Sequence, residues 1–153
     1  MSEEKKELAV AALENGTVID HIPSQSLFKV VRLLGIEQLD SNVTIGYNLE
    51  SKKLGKKGII KVANVRFPEA TLNRMALIAP NANVNIIDRY KVVRKFKVTL
   101  PDDITDIVRC NNPKCITNNE PMPTRFHVED RENVVLRCHY CERTVHKDDI
   151  ELK

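Results

Sequence analysis

Gly16 to Ile36 read GTVIDHIPSQSLFKVVRLLGI, and the change of period inside this stretch decides the first half of the fold. Gly16 to Pro23 alternates β-branched and polar residues and closes on a proline, which is the pattern of a short strand. From Ser24 the period lengthens: Leu27, Val30, Val31 and Leu34 fall at i, i+3, i+4 and i+7, the apolar stripe of an amphipathic helix. Ser24 is expected to cap that helix and Gly35 to end it.

Working outward, SNVTIGYNLE (41–50) and GIIKVANVRF (58–67) read as two more strands. SKKLGKKG (51–58) joins them and suits an exposed hairpin loop. PEATLNRMALIAP (68–80) gives a second helix, with Pro68 in its first turn, Glu69 near the positive end of the dipole and Pro80 as the stop. ANVNIIDRYKVVRKFKVTLP (82–101) supplies one or two closing strands. The order β-α-β-β-α-β with an added strand is the split βαβ, ferredoxin-like arrangement, so an α+β domain over residues 1–100 is expected. Its helices cover one face of the sheet; the other is left for solvent, a partner or a ligand.

TLPDDITDI (99–107), with Pro101 and three aspartates, marks a linker into a β-rich second domain over residues 101–153. All four cysteines of the chain fall there, at Cys110, Cys115, Cys138 and Cys141, spaced C-x4-C-x22-C-x2-C. Two close pairs on turns can deliver four thiolates to one tetrahedral zinc, with hairpin strands between them, as in a zinc ribbon. Four thiolates leave no open coordination position, so one structural rather than catalytic Zn(2+) per chain is expected. His127, His139 and His146 are spare histidines beside a ligand set that is already complete.

Composition narrows the class. With 42% hydrophobic and 29% charged residues the chain has the material for a core, and no apolar run of 18 residues is present. The N-terminus lacks the long apolar stretch of a secretory signal. A soluble cytoplasmic protein with no membrane partner is expected, and in a reducing compartment clustered cysteines point to a metal rather than to disulfides. The net charge of +3 leaves the class of partner open.

Enzyme signatures are absent. Neither GxxxxGK[ST] nor GxGxxG occurs, and no Ser/His/Asp or paired-carboxylate arrangement stands out. GKKG (55–58) reads as a hairpin tip before an anion cradle, and Asp20 beside His21 is a lone polar pair at a strand end. Two binding classes remain. An RNA-recognition sheet would carry aromatics where KGIIKVANV (57–65) has Ile59, and with 5% aromatic residues and no tryptophan base stacking is poorly supplied. A zinc-ribbon nucleic-acid binder is therefore the alternative to a small-molecule-binding module with a zinc-stapled docking domain.

In linear order, GTVIDHIP, NVTIGYNL, IIKVAN, MALIAP, VNIIDRYKVV, the C-x4-C pair and CHYCE resemble the regulatory chains of aspartate carbamoyltransferase over nearly the whole length. The resemblance implies a non-catalytic subunit. Its first domain would bind nucleoside triphosphates, with CTP and sometimes UTP opposed by ATP, and its zinc domain would dock on catalytic chains. Regulatory homodimers would bridge catalytic subunits in an assembly of two catalytic trimers and three regulatory dimers, controlling pyrimidine biosynthesis.

Carried over by position, the resemblance implies that Val10, Ala12, Leu13, Val18 and Asp20 line a base and ribose pocket together with Ile87, Tyr90 and Val92. His21, Lys61, Asn85 and Lys95 would meet ribose or phosphates, lysine supplying mobile positive charge to phosphate oxygens. Asn112, Tyr140, Glu142 and Arg143 match the knuckle positions that face the catalytic chain, while Lys114 and His139 depart from the commoner asparagine and lysine, and Ala11 from a glutamate.

Overall fold

The structure, a computed structural model, describes residues 13–153; Val10 and Ala12 lie outside the described residues. The chain divides into two compact units between Thr99 and Leu100.

The first unit contains β1 (Gly16–Pro23), α1 (Leu27–Leu33), β2 (Val43–Ser51), β3 (Gly55–Ala63), α2 (Glu69–Asn73), β4 (Asn83–Asp88) and β5 (Lys91–Lys97). The strands form one antiparallel sheet in the order β2-β3-β1-β4-β5. That is the ferredoxin-like order with β5 added at the β4 edge, as the strand and helix sequence requires. Register assigns the two faces. Ile19 pairs with Ile60 and Val84, and all three are fully buried together with Leu27, Val30, Val62, Leu72 and Met75. This is the helix-covered face: a Cβ on Gly58 would meet the side chain of Leu27 on α1 at 2.7 Å.

Local chemistry shapes the elements somewhat differently from the sequence expectations. The first helix opens with a 3-10 turn at Ser24–Ser26, and Ser24 does not cap it: its Oγ is buried with no hydrogen-bond partner. Gly35 ends the helical run in the left-handed region at φ 65°, as expected. Pro68 precedes the second helix as its N-cap residue, and after Asn73 the backbone tightens into a 3-10 turn at Arg74–Leu77 before Pro80. The GKKG segment is not a hairpin tip. Ser51 pairs with Gly55, so Lys52 to Leu54 make the loop, and Lys56, Lys57 and Gly58 belong to β3.

The β4–β5 connection is a two-residue turn in which Arg89 and Tyr90 both have positive φ, 51° and 65°. Such a turn matches the twist of a hairpin but suits Asn-Gly or Gly-Gly, and each non-glycine residue in this region costs about 1–2 kcal/mol.

The second unit contains β6 (Asp103–Thr105), β7 (Val108–Arg109), α3 (Ile116–Asn119), β8 (Arg125–Asp130), β9 (Val135–Cys138), β10 (Thr144–His146) and β11 (Glu151–Leu152). Its sheets run β10-β9-β8-β6 and β11-β7. Phe126, Ile104, Val108, Leu136 and Val145 are buried with three of the cysteines. Arg131 donates to the Leu100 carbonyl and to the Asp102 carboxylate, fastening the first residues of this unit. No helix among the described residues is long and apolar enough to cross a membrane.

Candidate effector face and metal centre

On the face of the first sheet away from the helices, cross-strand partners line up in one row. Lys61 on β3 is opposite Val18 on β1, Val18 is opposite Asn85 on β4, and Asn85 is opposite Lys95 on β5. Because paired residues in a sheet point to the same side, two lysines flank an apolar and an amide position, spread over about 14 Å at the usual strand spacing. Beside the row, Val18, Ile59 and Ile87 form a small buried cluster on which Leu13 and Leu49 pack. Gly46 leaves the room, since a Cβ there would meet both Ile59 and Leu49 at 2.8 Å.

The other described candidates fall in β1, β5 and the β4–β5 turn. Ile87 pairs with Val92, which is exposed, and Tyr90 sits in the adjoining turn with 65% exposure. Asp20 lies at a bulge in β1 where His21 takes φ 60°. The His21 backbone N–H donates to Asp20 Oδ1 at 2.7 Å, and the Asn83 amide nitrogen lies 3.2 Å from Nδ1 of His21. A residue that reading the sequence missed completes the group: Lys57 Nζ lies 2.9 Å from Oδ1 of Asp20. Among the described residues the face thus sets an apolar platform beside Lys61 and Lys95 in the cross-strand row and the Lys57–Asp20 ion pair at its border, an arrangement that suits a ligand with a flat apolar portion and a charged one.

In the second unit, the Sγ atoms of Cys110, Cys115, Cys138 and Cys141 all lie within 4.8 Å of one another. Cys110 and Cys141 are 3.6 Å apart, Cys115 and Cys138 3.8 Å. A tetrahedron with metal–sulfur bonds of about 2.3 Å has edges of about 3.8 Å, whereas a disulfide would bring sulfurs to about 2.0 Å. The four thiols therefore fit one metal ion.

Two short turns deliver them. The Cys115 N–H donates to the Asn112 carbonyl, and Asn118 closes the first turn with its amide on the carbonyls of Cys110 and Asn112. In the second, Cys138 N–H donates to the Arg143 carbonyl and Glu142 N–H to the Cys138 carbonyl, with Glu142 at φ 64°. Burial pushes the Cys110 thiol up to about 12 and also raises Cys138. Burial opposes ionisation of Cys141 as well, but hydrogen bonds from the Arg143 backbone and the Asn112 side chain, then from the neighbouring thiols, bring it to about 7. Cys141 is thus poised to ionise ahead of Cys110 and Cys138, and a cation is needed to hold those two as thiolates.

Tyr140, Glu142 and Arg143 are exposed on the second turn, whereas Asn112 is half-buried with its side chain turned onto Cys141 and the Lys114 N–H. Two of the three histidines set aside in the sequence are joined: His127 Nδ1 lies 2.5 Å from Asp103 Oδ1, and its Nε2 lies 2.8 Å from Nδ1 of His139.

A ferredoxin-like sheet with an open face of lysines beside an apolar cluster, followed by a four-thiol ribbon that fits one metal ion, is the class of two-unit protein this chain represents. Residues 8–99 match the family model of the aspartate carbamoyltransferase regulatory chain, allosteric domain, and residues 102–151 that of its metal binding domain. Among curated relatives, the aspartate carbamoyltransferase regulatory chain of Bacteroides thetaiotaomicron is 58% identical over 152 residues, covering 99% of each chain. That of Parabacteroides distasonis is 59% identical over 152 residues, again covering 99% of each, and that of Thermococcus kodakarensis 48% over 144 residues, covering 94% of this chain and 95% of its own. The chain belongs to the family of aspartate carbamoyltransferase regulatory chains. It is a regulatory, non-catalytic subunit of an enzyme of pyrimidine biosynthesis.

Proposed function

We propose that this chain senses nucleoside triphosphates on the open face of its first sheet and passes the signal to catalytic chains of aspartate carbamoyltransferase through its four-cysteine unit. The observation that carries the reading is the cross-strand row Lys61–Val18–Asn85–Lys95 beside the apolar cluster of Val18, Ile59 and Ile87. A base rests on the apolar patch with Leu13, Tyr90 and Val92 at its border, and the family resemblance adds Val10 and Ala12 to the residues that contact it. Asp20 accepts a ribose hydroxyl, while Lys61, Asn85, Lys95 and His21 meet ribose or phosphates. CTP and ATP, and by the same contacts UTP, are the ligands.

Signal output is mechanical. Nucleotides shift the assembly only by binding its inactive and active states unequally, and a coupling of about 1–3 kcal/mol is typical of such systems. One structural Zn(2+) on Cys110, Cys115, Cys138 and Cys141 holds the docking turns in shape, and Asn112, Tyr140, Glu142 and Arg143 form the docking surface. Regulatory chains pair as homodimers, in a cytoplasmic assembly of two catalytic trimers and three regulatory dimers. The sheet edge at β2 supports pairing: Ile45 and Tyr47 are exposed there, and Tyr47 stacks on exposed Phe28 with ring centroids 5.5 Å apart. Against a nucleic-acid role, the central strands β1 and β3 present Val18, Ile59 and Lys61 to the open face where RNA-recognition sheets place aromatics.

Calorimetric titration of the zinc-loaded chain with CTP, comparing wild type with Lys95→Ala, tests the reading. Saturable one-site binding weakened by the substitution supports it; absence of binding by an intact fold removes the nucleotide sensor.

A further inference from the structure

Three backbone segments meet where β1 begins, and Asn15 bonds the other two, one through its side chain and one through its backbone. Asn15 accepts the Arg89 N–H on its side-chain Oδ1 at 3.2 Å, while its backbone carbonyl accepts the Asn64 N–H at 2.9 Å. Its neighbour Glu14 accepts the Tyr90 N–H on the backbone carbonyl, also at 2.9 Å. Every backbone group held here belongs to a non-glycine residue at positive φ: Asn64 at 60°, Arg89 at 51° and Tyr90 at 65°. Strained conformations of this kind persist only where surrounding contacts over-determine them, and they gather at ligand sites.

The turn governs the strand it feeds. Two residues beyond Arg89–Tyr90 the β4–β5 register is irregular: Ile86 pairs with Arg94 but Ile87 pairs with Val92. That irregularity sets Val92 beside Ile87 on the open face. A one-residue slip in a hairpin sends side chains to the opposite face, so the geometry of the turn decides whether Val92 borders the apolar cluster. Gly16 keeps the anchor close, since any Cβ there would lie 2.0 Å from the Val62 carbonyl oxygen.

We propose that Asn15 is a positioning residue for the effector face: by holding the Arg89 N–H it keeps the left-handed turn that sets Tyr90 and Val92 beside the Val18–Ile59–Ile87 cluster. This rests on the reading of that face as a nucleotide site. Asn15 touches no ligand in this role. Its effect passes through the turn, so relieving the turn's strain must make it dispensable.

The full zinc-loaded chain is titrated with CTP by calorimetry as wild type, Asn15→Ala, Arg89→Gly and the double variant, with amide hydrogen exchange at residues 89 and 90 followed alongside. Loss of one hydrogen bond predicts CTP binding weakened by up to about tenfold and faster exchange in Asn15→Ala. Arg89→Gly alone, which removes the penalty on positive φ, is expected to bind as wild type, and the double variant to recover to within about twofold. A double variant as weak as Asn15→Ala, or an Asn15→Ala that binds as wild type, overturns the proposal while leaving the nucleotide site standing. A wild type that binds neither CTP nor ATP overturns the nucleotide reading itself, and the role of Asn15 with it.

Discussion

Lys57 Nζ lies within hydrogen-bonding distance of both carboxylate oxygens of Asp20, 2.9 Å from Oδ1 and 3.1 Å from Oδ2, and both side chains are about four-fifths buried. Lys57 therefore neutralises a carboxylate that would otherwise repel any anion held on this face. Lys57→Met is expected to weaken CTP by roughly tenfold, the scale of a charge-assisted contact, while leaving cytidine nearly unaffected. Asp20→Asn should weaken CTP and cytidine together if the carboxylate serves ribose. Parallel calorimetric titrations with both ligands measure the split, and equal losses for Lys57→Met would place its role in the fold rather than at the phosphates.

Stripping the metal should separate the two units. A unit of roughly 50 residues buries little core, and a structural zinc site contributes on the order of 10 kcal/mol. Chelation, or Cys138→Ser, is expected to collapse the backbone NMR signals of the second unit into the unfolded range and to leave those of the first sheet in place. Persistence of the Phe126 and Leu136 signals without metal would show that the apolar core suffices.

Metal loading should release protons. Burial pushes Cys110 up to about 12 and raises Cys138, so both enter neutral solution as thiols and must ionise to bind. Affinity therefore rises with pH through the neutral range, and acid restores the thiols and expels the ion. Zinc titrations at about pH 7 in buffers of different ionisation heat should count at least one proton each from Cys110 and Cys138. A proton count near zero would exclude thiol ligation.

Substitutions on the two turns of the metal centre should have distinct effects. Asn112 spends its side chain inside the centre, on Cys141 and the Lys114 N–H, so Asn112→Ala is expected to loosen metal first and docking as a consequence. Tyr140 is exposed, with its ring edge-on to His139 at 5.0 Å, so Tyr140→Ala should keep zinc and lose about 1–3 kcal/mol of association with a catalytic trimer. Zinc content and sedimentation of the mixed subunits distinguish the two outcomes.

How much was legible in the sequence depended on whether the signal was periodic. The alternation of Ile19, Ile60 and Val84 against Val18, Lys61 and Asn85 is a period-2 pattern, so the strands could be read, while the face each residue takes came from the pairing register. The cysteine spacing carried the metal set in the same way. Lys57 was hidden because Gly55 and Gly58 around the lysine pair mimic a turn, whereas Gly58 is in β3 to admit Leu27 against the sheet. Ser24 looked like a cap, yet the 3-10 entry at Ser24–Ser26 leaves its hydroxyl pointing at no backbone donor. Asn15 and the Asp103–His127–His139 chain act across 74, 24 and 12 residues of sequence, a distance at which a single sequence carries no pairing signal.

The order of the parts along the chain bears on how the protein comes into being. Every strand of the first sheet is complete by Lys97, before the first metal-binding cysteine has been made, and the fourth is added only at Cys141. During synthesis from the N-terminus the first unit can close its core while the second still lacks half of its clustered cysteines. On the proposed reading, competence to join a partner is thus the last property this polypeptide acquires, and metal supply governs when it does so.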